Sequence, residues 1–181
     1  MRKYVVLLGI ALSLCIGALV ATQIYWNRQR ASFYGNALPK VIQTTGFIAI
    51  GSDSSLLDML LPIRAESCGG VIFKLSAATI SSLKEQGLLF LASARQGRGY
   101  PAGDRLSHYY HYAEWQETPV PTGWLGDGIL AMELHCMDIG HSTRRAIGEA
   151  VQAPGSYFTT KDEGQLLILP DLGWAVYVYY G

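Results

Sequence analysis

The chain has 181 residues, its Lys plus Arg 14 balances Asp plus Glu 14, and 50% of it is hydrophobic. No basic excess speaks for nucleic acid and no acidic tail speaks for a basic partner, so neither class is expected. Roughly 150 residues follow the first apolar stretch, enough for one domain with a real core, and no repeats, heptads or low-complexity tracts interrupt them.

The first element is the uncharged stretch from Tyr4 to Trp26. About 20 apolar residues cross a bilayer core, so residues 1–26 are expected to be a single transmembrane anchor. Tyr4 at one end and Tyr25 with Trp26 at the other suit the headgroup level. A cleaved secretory signal is the alternative, but small residues at −3 and −1 are poorly matched by Leu19 with Ala21 or by Ile16 with Ala18. Leu14 before Cys15 argues against a lipoprotein site, and no Glu follows Gly9 as a pilin-type site would need. Arg2 and Lys3 before the span nearly balance Arg28 and Arg30 after it. A short N-terminal tail ahead of a large domain favours a domain on the extracytoplasmic side, periplasmic or extracellular. Gly9, Ser13, Gly17 and Ala21 recur every fourth residue, a small-residue ladder that suits a membrane-helix interface with a protein partner or a second copy.

Residues 27–45 are expected to form a juxtamembrane linker that Pro39 keeps from continuing as helix. Residues 46–181 are expected to form an extracytoplasmic α+β domain with a mixed or mostly antiparallel sheet and two or three short helices. Phe47–Ile50 predicts a first strand, and Ser52–Ser55 caps a short helix through Leu61. Gly70–Leu75 alternates as a strand, Ser76 caps a helix through Gln86, and Gly87 closes it. Leu88–Ala94 is a continuous apolar run and predicts a strand buried on both faces, giving a strand–helix–strand unit. Gln96–Gly103 is a loop by composition, without the glycine spacing of a phosphate cradle. Leu106–Trp115 predicts an aromatic strand, and Thr118–Gly128 an extended loop. Ile129–Cys136 predicts a strand with Leu130, Met132, Leu134 and Cys136 inside and His135 on the other face. His141 or Ser142 caps a helix through Ala153, and a three-strand meander follows from Ser156 to Tyr180.

Three cysteines leave Cys68 and Cys136 as a pair in the domain, expected to form a disulfide if the domain faces an oxidising compartment. Two buried free thiols are the alternative. His135, Cys136, Asp138 and His141 concentrate reactive side chains, but their spacing matches no structural zinc pattern, so no metal is expected. His108 and His111 lack the glutamate of a zinc-protease helix. The catalytic candidates are Cys68 or Cys136 as thiolate with His135 or His141 as base. No cofactor motif is present. Tyr109, Tyr110, Tyr112, Trp115 and Trp124, with Tyr177, Tyr179 and Tyr180, are candidates for an aromatic binding face. The function expected is a single-pass, membrane-anchored, non-enzymatic domain that binds a protein or envelope component, an accessory subunit of a membrane complex being one such role. An anchored Cys/His enzyme and a secreted domain with a removed signal are the alternatives.

Overall fold

The computed structural model describes residues 2–52, 68–125, 128–137 and 139–180. Two compact units divide the chain, Met1–Phe33 and Tyr34–Gly181. The first is built on one helix, α1, Arg2–Gly35. Its 34 residues measure about 50 Å at 1.5 Å each, against about 30 Å of bilayer hydrocarbon. From Gly9 onward this helix is long and apolar enough to cross a membrane. It runs on through the stretch where a linker is expected and ends four residues before Pro39. Gly9, Ser13, Gly17 and Ala21 are exposed, and nothing lies within 4 Å of the Cβ position of either glycine. Ser13 donates its hydroxyl proton to the Gly9 carbonyl at 3.0 Å and Thr22 to Ala18 at 2.9 Å, so these polar groups are satisfied within the helix.

The second unit is α+β. Its strands are β1 (Thr44–Ser52), β2 (Cys68–Leu75), β3 (Gln116–Glu117), β4 (Tyr157–Lys161), β5 (Gly164–Leu169) and β6 (Trp174–Tyr180). Its helices are α2 (Ala77–Gln86), α3 (Leu88–Leu91), α4 (Ile129–Cys136) and α5 (His141–Gln152), with a 3-10 turn at Thr122–Trp124. One six-stranded sheet has the order β1-β2-β6-β5-β4-β3, with every pairing antiparallel. The C-terminal meander is as expected, and β6 inserts between β5 and the distant β2. The Ser52–Leu61 helix expected from the sequence falls almost wholly outside the described residues.

Alternation decides what each face of the sheet meets. Ile72, Val176, Val178, Leu167, Leu169 and Phe158 form one face, packed under Leu130, Leu134 and Met137 and under Ile147 and Val151 of α5. Val71, Phe73, Tyr177, Leu166 and Ile168 point to the other face and are also buried. Tyr34 and the segment around Tyr109 and Tyr110 lie over that face. Burial on both sides explains why β5 reads as GQLLIL with no exposed position.

Local signals hold where backbone chemistry dominates. Ser76 accepts a hydrogen bond from the Thr79 amide at 3.1 Å, and the Gly87 amide closes α2 on the Leu83 carbonyl. Gly87 has φ +56°, a left-handed conformation that favours glycine. The α5 stripe is also as expected, with Ile147 and Val151 fully buried, although Gly140 and not His141 or Ser142 occupies the cap.

Three expected strands are corrected. Leu88–Ala94 is the short helix α3 followed by a turn, with Leu89 82% exposed, so the strand–helix–strand unit does not form. Leu106–Trp115 is a succession of turns with a single bridge between Gln96 and His111, and the Asp104 carboxylate accepts from the Leu106 amide at 2.8 Å. Ile129–Cys136 is a helix, with Leu130, Glu133, Leu134 and Met137 facing inward and Met132 51% exposed. Cys136 is half-buried there and not in the core.

Candidate functional site

The sheet face that carries Tyr177 gathers most of the domain's tyrosines around one amine. Tyr34 stacks on Tyr179 with centroids 5.2 Å apart, and their hydroxyls lie 2.7 Å apart. Tyr177 lies 6.1 Å from Tyr34 and 6.2 Å from Tyr179. Tyr100 stacks on Tyr110 at 3.6 Å, and Tyr109 meets Tyr110 edge-on at 5.1 Å. The Lys161 ammonium, at the end of β4, sits 3.6 Å from the Tyr109 ring centroid, 5.0 Å from Tyr110 and 5.8 Å from Tyr177. It donates to the Asp162 carbonyl at 2.7 Å, and Tyr109 donates its hydroxyl to Glu163 at 2.8 Å.

The electrostatics follow from burial. Burial pushes the Lys161 ammonium down to about 8, against the opposing pull of Glu163, Asp162 and Glu133. Burial raises the Tyr110, Tyr112 and Tyr177 phenols, and for Tyr109 the Glu163 carboxylate adds to it. These phenols stay protonated at neutral pH. The cluster is therefore a set of rings and hydroxyl donors around one desolvated amine. Tyr34, Tyr109 and Tyr179 are half-open to solvent, and Tyr180 is exposed.

The loop that carries Tyr100, Tyr109 and Tyr110 is held by its own polar side chains. The Gln96 amide donates to the carbonyls of Tyr100, Ser107 and Tyr110, and its oxygen pairs with His111 Nδ1 at 3.1 Å. Arg98 donates to the carbonyls of Leu38, Pro39 and Ile42, and Arg95 to that of Tyr112. Arg95 and Arg98 thus brace the backbone, and of the arginines near this loop Arg105 is left exposed. A cleft of about 290 Å³ opens behind the loop between Pro39, Lys40, Val41, Gln96, Arg98 and Pro101.

The expected aromatics divide. Tyr109, Tyr110 and Tyr112 join this cluster, Tyr112 fully buried with its hydroxyl donating to the Ala37 carbonyl at 2.9 Å. Trp115 is buried and donates to the Ala94 carbonyl. Trp124 packs edge-on against Phe158 in the core of the opposite face. Sequence reasoning missed Tyr100 and Lys161. Lys161 reads as a turn residue, and its ring neighbours come from positions far away in the chain.

The catalytic candidates do not assemble. Cys68 and Cys136 are joined in a disulfide with Cα atoms 5.7 Å apart, so neither sulfur is a thiolate. His135 is exposed, with its Nδ1 3.2 Å from the Arg144 guanidinium, and His141 is exposed at the start of α5. Asp138 lies outside the described residues. Among the described residues no group of three or more His, Cys, Asp or Glu converges.

A second buried polar group lies under α4. Glu133 is 0% exposed, and neither carboxylate oxygen has a hydrogen-bond partner among the described residues; the same holds for Gln165 Oε1. Burial raises the Glu133 carboxyl to about 8, a shift that Lys161 reduces without cancelling. Compared with protein-family models, with curated proteins and with solved structures, the chain matches none.

Proposed function

We propose that this chain is a single-pass membrane protein whose domain stands in an oxidising, extracytoplasmic compartment and binds a protein or envelope component through its tyrosine face. The observation that carries the reading is the half-open set of Tyr34, Tyr109 and Tyr179 on a braced scaffold, beside exposed Tyr180. Tyrosines give large, stiff contact area with a hydroxyl at the rim, which suits a partner surface. The α1 helix supports the membrane address, and the Cys68–Cys136 bond supports the compartment. The exposed ladder of Gly9, Ser13, Gly17 and Ala21 supports close approach of a second membrane helix, from the partner or from another copy.

Site-specific photocrosslinking in intact membranes tests this. A photoreactive residue at Tyr109 or Tyr180 is expected to give one discrete adduct, and one at exposed Lys84 none. Equal yields at all three positions would remove the tyrosine face from the reading. A cysteine placed at Lys84 is expected to react with a membrane-impermeant maleimide in whole cells. Protection until the cells are lysed would place the domain on the cytoplasmic side and end the proposal.

A further inference from the structure

The α4 helix joins two features with opposite tendencies. Its last residue, Cys136, is bonded to the first residue of β2. In its middle, Glu133 is fully buried, and neither oxygen has a hydrogen-bond partner among the described residues. A buried carboxylate without donors costs several kcal/mol if ionised, so Glu133 either keeps its proton or leaves. The helix has no side-chain N-cap at Gly128. Its seat is tight: a Cβ on Gly70 would lie 2.8 Å from Met137 Sδ, and one on Gly51 2.0 Å from the Met137 carbonyl oxygen. Gly70 pairs with Val178, and Val178 pairs with Gln165. Met137 therefore lies over the row that holds the unpartnered Gln165 oxygen, and Glu133 lies one turn back along α4.

We propose that α4 is a latch held shut by the Cys68–Cys136 bond and by a proton on Glu133, and that reduction of the bond makes its opening depend on pH. The chemistry balances with a dithiol reductant. One thiolate of the reductant attacks a disulfide sulfur, the second resolves the mixed disulfide, and the reductant leaves oxidised. Cys68 and Cys136 take up the two electrons and two protons. When α4 then lifts, Glu133 reaches water and gives its proton to solvent.

Among the described residues, the core cluster into which Leu130, Leu134 and Met137 of this segment pack is apolar. β2 contributes Ile72 to that core, with Lys74 exposed at the strand's far end. From β6 come Val176 and Val178, Tyr177 and Tyr179 being on the other face; from β5 come Gln165 and Leu167, and from β4 Phe158. From α5 come Ile147 and Val151, while Arg144 lies against His135 and the Ile139 carbonyl. From the 3-10 turn comes Trp124. Among the described residues, the charge that acts on Glu133 is Lys161 of β4. The closed carboxyl titrates at about 8 and a freed one at about 4.5. Opening of the reduced protein should therefore grow tenfold per pH unit up to 8, about a hundredfold between pH 6 and pH 9.

Hydrogen exchange on the full chain in detergent tests the latch, with protection factors corrected for intrinsic rates. Oxidised protein is expected to protect residues 129–137 equally at pH 6 and pH 9. Reduced protein is expected to lose about a hundredfold protection there between the two pH values, while β5 and β6 stay protected. Reduced Glu133→Gln is expected to show no such loss, which separates Glu133 from Lys161. The proposal is overturned if reduced wild type holds 129–137 as firmly at pH 9 as at pH 6. It is overturned equally if the whole sheet exchanges together with α4, or if Glu133→Gln opens like wild type. Should the variant not fold, the wild-type comparison at the two pH values still decides.

Discussion

Replacing Lys161 with methionine should stabilise the domain at neutral pH. The ammonium is held at about 8 where an unperturbed lysine titrates near 10.5, a difference of 2.5 units. At about 1.36 kcal/mol per unit, burying the charged form costs roughly 3 kcal/mol. The sign follows from proton counting. Below pH 8 both folded and unfolded lysine are charged, and the full cost is present. Between pH 8 and 10.5 the unfolded chain holds more protons, so stability rises with pH until the cost is gone. Stacking on Tyr109 and its neighbours works the other way, at roughly 0.5–2 kcal/mol. Lys161→Met should therefore be about 1–3 kcal/mol more stable than wild type at pH 7, and the gap should close by pH 10.5. Urea unfolding at a series of pH values measures it. A variant less stable than wild type at pH 7, or one whose stability rises from pH 8 to 10.5 as wild type's does, would refute the reasoning.

Removing the disulfide as Cys68→Ala with Cys136→Ala should lower the unfolding free energy by roughly 4 kcal/mol in the chain-entropy model for its separation of 68 residues, read by urea unfolding without reductant. Gly70→Ala should cost at least about 2 kcal/mol, because the added carbon lies 2.5 Å from the Tyr177 carbonyl oxygen as well as against Met137; a drop in Tm reports it. Arg98→Ala should cost about 2–3 kcal/mol and speed exchange of the 96–111 loop, since it strips donors from the Leu38, Pro39 and Ile42 carbonyls. The exposed Arg105→Ala should change stability by no more than about 0.5 kcal/mol in the same assay.

The errors in reading strands from the sequence have a common physical source. Between Ile129 and Cys136 a period of two and a helical period both fit the leucines. Glu133 at a helical core position hides the second, because glutamate there breaks the usual rule. Its burial is a tertiary fact that no local pattern announces. Leu88–Leu91 is too short an apolar run for periodicity to decide, and the left-handed Gly87 turns it directly out of α2. From Leu106 to Trp115 the aromatics suit a strand, but Asp104 and the Gln96 amide fold that stretch into turns. The long apolar helix α1, α2, α5, the meander and the cysteine pair are legible because caps, turn residues, length and spacing fix them locally or compositionally. The tyrosine cluster was half legible. Its rings were nameable, but Tyr34 and Tyr179 stand 145 positions apart, and only the sheet order brings them together.

The position of β6 bears on how this domain comes into being. It lies between β2 and β5 but is the last in chain order of the six strands among the described residues. Until Trp174–Tyr180 has emerged, β2 lacks one neighbour and β5 one neighbour, and both faces of the sheet lack their central row. The nascent chain must therefore wait, with Cys68 and Cys136 both already synthesised. The sheet is therefore completed by the last of its strands in chain order, and non-local pairing of this kind is slow. A chain that stops short of Trp174 has no middle to its sheet and is not a smaller working version of the protein.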